Sequence, residues 1–180
     1  MDTTYLALLR GINVGGRNRI LMADLRACFE SAGYKDVRTY IQSGNVVFQC
    51  GVDRAELTHA IEAMLAGAFD YRATVALRDA AEMRAVVREA PAGFGSEPDA
   101  YRYDVLFLLP PLAPEDVLGA LTLRDGVDAA WAGPGVVYSR RLTERASQSG
   151  LSRIASHPFY RQMTIRNWNT TAKLRAMMEV

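Results

Sequence analysis

The sequence predicts an α+β protein of two related halves, each a small antiparallel sheet with helices packed on one face. Three observations predict it. Residues 3–77 pass through strand and helix patterns in the order strand-helix-strand-strand-helix-strand. Residues 79–178 read helix-strand-helix-strand-strand-helix, close to the same order with one edge strand missing. The composition, 49% apolar and 23% charged over 180 residues, suits one medium domain or two small ones sharing a core.

Each element has a local reason. Thr3–Leu9 alternates and runs into a glycine-rich loop, as a first strand does. Met22, Leu25, Cys28 and Phe29 recur at helical spacing and predict a helix over 22–32 that stops at Gly33. Asp36–Ile41 is β-branched and aromatic, and Gln42-Ser43-Gly44-Asn45 turns it back into Val46-Val47-Phe48 as a hairpin. Asp53 caps a helix with Leu57, Ile61, Met64 and Leu65 on its inner face. Thr74–Leu77 is the fourth strand.

Asp79–Glu89 is amphipathic, with Met83, Val86 and Val87 inward, and Pro91 ends it. Ala92–Ala100 reads as a loop. Tyr101–Leu109 is the strongest strand signal, closed by Pro110-Pro111, and Pro114 opens a short helix to Leu121. Asp128–Trp131 and Val136–Arg141 form a hairpin across Ala132-Gly133-Pro134-Gly135. Ser147–Gly150 is a turn, Leu151–Ser156 a helical turn, and Asn167–Met178 the last helix. The order βαββαβ is that of a ferredoxin-like half, so the expected division is 1–78 and 79–180. No residue-level repeat between the halves is visible, and the duplication rests on element order.

Net charge is +1 but unevenly spread: +1 over residues 1–78, −6 over 79–135 and +6 over 136–180. The basic last third suits either a polyanion or the acidic middle third. No stretch of eighteen apolar residues predicts a membrane span. The N-terminus enters a strand pattern without a signal-peptide layout. Cys28 and Cys50 have no metal-ligand spacing and read as reduced thiols. These features predict a cytoplasmic protein with no membrane association.

Three polar stretches carry the candidate site. The first is Arg10-Gly11-Ile12-Asn13-Val14-Gly15-Gly16-Arg17-Asn18-Arg19, at a strand-to-helix junction. Such a loop presents backbone N–H groups to an anion, and Arg10, Arg17 and Arg19 with Asn13 and Asn18 are more donors than a turn needs. It is neither a dinucleotide-binding nor a triphosphate-binding glycine motif. The second stretch is Gln42-Ser43-Gly44-Asn45, where Ser43 and Asn45 equally suit bonds to their own turn. A ferredoxin-like layout is expected to put this turn and the glycine loop at opposite ends of the sheet. The third stretch is Arg166-Asn167-Trp168-Asn169. It reads as a helix start with caps and a core tryptophan, or as an amide-rich aromatic surface for a base or phosphate.

Catalytic sets are missing. His59 and His157 lack partners for a metal site, no nucleophile elbow occurs, and no cofactor is predicted. The leading expectation is binding of an anionic ligand: a nucleotide, a phosphorylated metabolite or a nucleic-acid backbone. An enzyme acting on a phosphorylated or carboxylate substrate by electrostatic stabilisation is the second reading. A homodimerising interaction module using an open sheet face is the third.

The blocks Leu8–Gly16, Thr39–Phe48 and Arg166–Thr170 resemble the bacterial proteins grouped as domain of unknown function 1697, and the likeness extends over nearly the whole chain. The resemblance implies two ferredoxin-like halves. It implies no activity, substrate or cofactor. Arg17 and Arg19 stand where members often carry lysine near the loop, which keeps the charge.

Overall fold

The structure, a computed structural model, describes residues 2–13, 19–70 and 72–179. It contains two four-stranded antiparallel sheets with helices between strands, the mixed α+β class with two ferredoxin-like halves. Backbone contacts divide the chain into two compact units, Met1–Met83 with Leu174–Val180, and Arg84–Lys173.

In the first unit the elements are β1 (Thr3–Arg10), α1 (Met22–Ser31), β2 (Lys35–Tyr40), β3 (Asn45–Cys50), α2 (Arg54–Ala68) and β4 (Thr74–Asp79). The sheet order is β2-β3-β1-β4. Leu25 and Phe29 of α1 and Leu57, Ile61 and Leu65 of α2 pack on Tyr5, Ala7 and Leu9 of β1, with Val46 and Phe48 of β3. Each of these helices buries the face that its periodicity marks. Asp53 accepts a hydrogen bond from Ala55 N at 2.8 Å and so caps α2, a bond typically worth about 1 kcal/mol. The short helix α3 (Ala80–Arg88) follows directly on β4.

The second unit holds β5 (Tyr101–Leu108), α4 (Pro114–Ala120), β6 (Asp128–Gly133), β7 (Val136–Leu142) and β8 (Met163–Asn167). Three 3-10 turns, Thr143–Gln148, Gly150–Ser156 and Pro158–Gln162, join β7 to β8, and α5 (Trp168–Met177) follows. The sheet order is β6-β7-β5-β8, the same as in the first unit. Here the sequence reading is corrected: the fourth strand is present as β8. What this half lacks is a regular helix between its third and fourth strands, where the 3-10 turns run instead. The alternation in Met163-Thr164-Ile165 marks the strand, but the polar residues after it masked the pattern.

Strand register reveals a residue-level repeat that the bare sequence hides. Leu9 N donates to Gly44 O at 2.8 Å, and Leu108 N to Gly135 O at 3.1 Å. Leu9 pairs with Val75 as Leu108 pairs with Met163, and Leu6 pairs with Arg78 as Val105 pairs with Arg166. Arg78 and Arg166 are both buried, and each donates from Nη1 to the carbonyl of the preceding residue at 2.8 Å. The next residue ends the strand and caps the helix that follows in both cases. Asp79 Oδ1 accepts from Glu82 N while Glu82 Oε2 accepts from Asp79 N, both at 2.8 Å, a reciprocal capping box. Asn167 Oδ1 accepts from Thr170 N at 2.8 Å. Leu77-Arg78-Asp79 and Ile165-Arg166-Asn167 are therefore the same device used twice.

Tyr138 of β7 ties its sheet to the chain entering the second unit, donating its hydroxyl to Val86 O at 2.6 Å. Burial, reinforced by the Glu89 carboxylate, pushes this phenol up to about 12. An unfolded tyrosine titrates near pH 10. Between about pH 10 and 12 the unfolded chain has lost a proton that the folded chain keeps, so stability falls as pH rises through that window. Urea unfolding of the wild type is expected to show this loss. Tyr138→Phe should show a smaller one, the remainder coming from Tyr5 and Tyr34, which burial also raises. Equal losses in both proteins would contradict the assignment.

Candidate functional site

The described residues of the glycine loop, 10–13 and 19, lie with the hairpin turn at one corner of the first unit. Both β1 and β2 run antiparallel to β3, so they are parallel to each other and their C-terminal ends share one end of the sheet. The expectation that the two stretches sit at opposite ends is overturned by this geometry. Their contact is direct. Asn13 Nδ2 donates to Gln42 O at 2.8 Å, and Leu9 N to Gly44 O at 2.8 Å.

Asn13 also closes the loop on itself. Its Nδ2 donates to Ile20 O at 3.0 Å and its Oδ1 accepts from Ile20 N at 2.8 Å. One side-chain amide thereby imitates a β-pair across the base of residues 14–19. Its backbone is left-handed, φ +53, a conformation asparagine tolerates better than most residues. Ile12 and Ile20, on either side, are buried in the core. Asn13 thus shapes the loop and is taken up by main-chain partners. Gly15, Gly16, Arg17 and Asn18 lie outside the described residues. Arg10 is half-buried at the end of β1, and Arg19 is exposed.

The hairpin turn is equally constrained. The fully buried Asn45 donates from Nδ2 to Tyr40 O and to Ser43 Oγ, both at 2.9 Å. Its side chain braces the turn, as does the half-buried Ser43. Gln42 is exposed. Gly44 has φ +75, and a Cβ there would lie 2.5 Å from Ile12 Cδ1 and 2.8 Å from Leu9 Cβ. Ile41 is β-branched, has φ +47 and is 48% exposed, a backbone conformation that costs energy for such a residue.

The third stretch belongs to the second unit. Arg166 is buried, with Nη1 donating to Thr164 Oγ1 and Ile165 O, each at 2.8 Å. Asn167 caps α5. Trp168 and Asn169 line a cleft of about 330 Å³ together with Tyr101, Arg102 and Tyr103. Those three β5 residues had no role in the sequence reading beyond a strong strand. The signal available was the tyrosine alternation at 101 and 103, which strand propensity alone also explains.

Among the described residues, no group of three or more histidine, cysteine, aspartate or glutamate side chains is placed to hold a metal ion. No helix among them is long and apolar enough to cross a membrane.

The solved structure of a conserved bacterial protein from Streptococcus pneumoniae is similar to this chain, with a TM-score of 0.88 and 29% identity over 100% of both chains. A search of curated proteins gave no match. The glycine loop and the hairpin turn both fall inside residues 2–138, the stretch that matches the family described as protein of unknown function (DUF1697), and the chain belongs to that family.

Proposed function

We propose that the first unit binds a phosphate-bearing anion through its arginine-glycine loop: a nucleotide, a phosphorylated metabolite or a nucleic-acid backbone. One observation carries this reading, a control built into the protein. At the equivalent corner of the second unit, residues 109–113 make the same connection with Leu-Pro-Pro-Leu-Ala, less than half the length of residues 11–21 in the first. The fold is satisfied by the short apolar version. The long one adds Arg17, Arg19, two glycines and an asparagine that no fold requirement explains. Asn13 holds the two ends of the loop together through Ile20, and preorganisation of that kind lowers the cost of binding. The strained, exposed Ile41 beside it also fits a functional corner. We propose a cytoplasmic location as well, supported by Cys28 and Cys50 as free thiols.

The test is a thermal-shift panel of inorganic phosphate, pyrophosphate, sugar phosphates, nucleotides and short oligonucleotides, with the free sugars as controls. A ligand at a hundred times its dissociation constant adds about 2.7 kcal/mol of stability, or roughly 5–10 °C in Tm for a chain of this size. At least one phosphate-bearing compound is expected to give such a shift, and the shift should shrink with added salt. A panel in which no phosphate compound exceeds its sugar control would refute the reading.

A further inference from the structure

We propose that the cleft of about 330 Å³ at the open end of β8 binds a planar heteroaromatic ring of the nucleobase kind. It lies wholly in the second unit and does not depend on the anion loop. Strand β8 stops at Asn167, opposite Asp104, so β5 runs on past it. Tyr101, Arg102 and Tyr103 are thereby left beside the start of α5, where they line the cleft with Trp168 and Asn169.

The first observation is an orphaned group. Tyr103 is 6% exposed, and its buried hydroxyl makes no hydrogen bond. Folded proteins pair nearly all such groups, because the unpaired ones have lost water without compensation. The second observation is a fixed aromatic wall. The Trp168 ring meets Phe94 edge-on at 5.2 Å and 88°. It also presses against Gly95, φ +85, where a Cβ would collide with Trp168 Cδ1. The indole is held between glycine backbone and a phenyl edge while remaining half-exposed to the cleft. Phe94 similarly meets Tyr103 at 4.9 Å and 73°, which fixes the tyrosine.

The polar groups complete the pattern. Arg102 Nε holds Asp104 Oδ2 at 2.7 Å, and the Arg102 side chain is 58% exposed. Asn169 adds an exposed amide. Aromatic faces for stacking, with a guanidinium, an amide and a hydroxyl for in-plane donors and acceptors, match the two demands of a base. The volume falls at the small end of ligand sites, enough for one ring system.

Uncharged nucleosides test this cleft separately from the anion loop, since they carry no phosphate. Trp131→Phe leaves Trp168 as the only indole. Titrating that variant with adenosine, guanosine, cytidine and uridine should give saturable quenching of Trp168 by at least one. Saturation-transfer NMR on the wild type, observing the same nucleosides' ring protons, gives a readout that needs no variant. Tyr103→Phe should weaken binding about three- to tenfold, and it should raise the Tm of the free protein because the unpaired hydroxyl is gone. The proposal is overturned if no nucleoside binds by either method, or if glucose and N-acetylglucosamine bind in their place. It is equally overturned if Tyr103→Phe leaves the affinity unchanged or lowers the free protein's Tm, since that hydroxyl is then already satisfied.

Discussion

Gly44→Ala is expected to destabilise the protein by about 2–5 kcal/mol. A left-handed backbone costs a non-glycine residue roughly 1–2 kcal/mol, and forcing an extra carbon into a packed site costs about 1–3 more. The packing part is not easily relaxed. Ile12 Cδ1, 2.5 Å from the new carbon, is a side-chain tip and gives way, but Leu9 Cβ at 2.8 Å is fixed to β1. Leu9 is 1% exposed and Ile12 2%, so neither turns outward freely. Relief requires the hairpin turn to lift off β1, which breaks the Leu9 N to Gly44 O bond and moves the Gln42 carbonyl that holds Asn13. Urea unfolding measures the loss. Adding Ile12→Val to the alanine variant should recover only part of it. A loss under about 1 kcal/mol would mean that the turn and the loop are not locked together.

That locking was legible in the sequence only in pieces. Gly44 announces a turn, and Asn13 announces a polar loop, but which end of the sheet each occupies depends on strand direction. In a split β-α-β unit the first two strands are parallel, and this alone brings the two stretches together. The strands and helices of the first unit were readable because Leu57, Ile61 and Leu65, or Tyr5, Ala7 and Leu9, bury one face at the period of their element. Strand β8 was not, because Arg166 and Asn167 look like surface chemistry. Only pairing register shows Arg166 as the second unit's counterpart of buried Arg78, and Asn167 as a cap like Asp79. The cleft beside Trp168 was half legible. The Arg-Asn-Trp-Asn cluster marked it, while Tyr101, Tyr103 and Gly95 lie 65 to 73 residues earlier in the chain, a separation that no local pattern encodes.

The second large effect is on binding. Replacing Arg17 and Arg19 together by alanine should leave the fold nearly unchanged. The loop base is held by Asn13 and by Ile12 and Ile20 in the core, and exposed substitutions such as that at Arg19 usually stay within about 0.5 kcal/mol. Affinity for a phosphate-bearing ligand should fall by about two orders of magnitude or more, since each charge-assisted hydrogen bond is worth roughly 1.5–3 kcal/mol. Lysine at both positions should recover part of the affinity, because it keeps the charge and loses the two-pronged donor geometry. The measurement that bears most directly on the account is therefore the Tm of the wild type and of the Arg17→Ala, Arg19→Ala protein, each with and without the phosphate compound that gives the largest shift. The account predicts matching Tm values without that compound and a shift confined to the wild type. A double variant that keeps the full shift would contradict it.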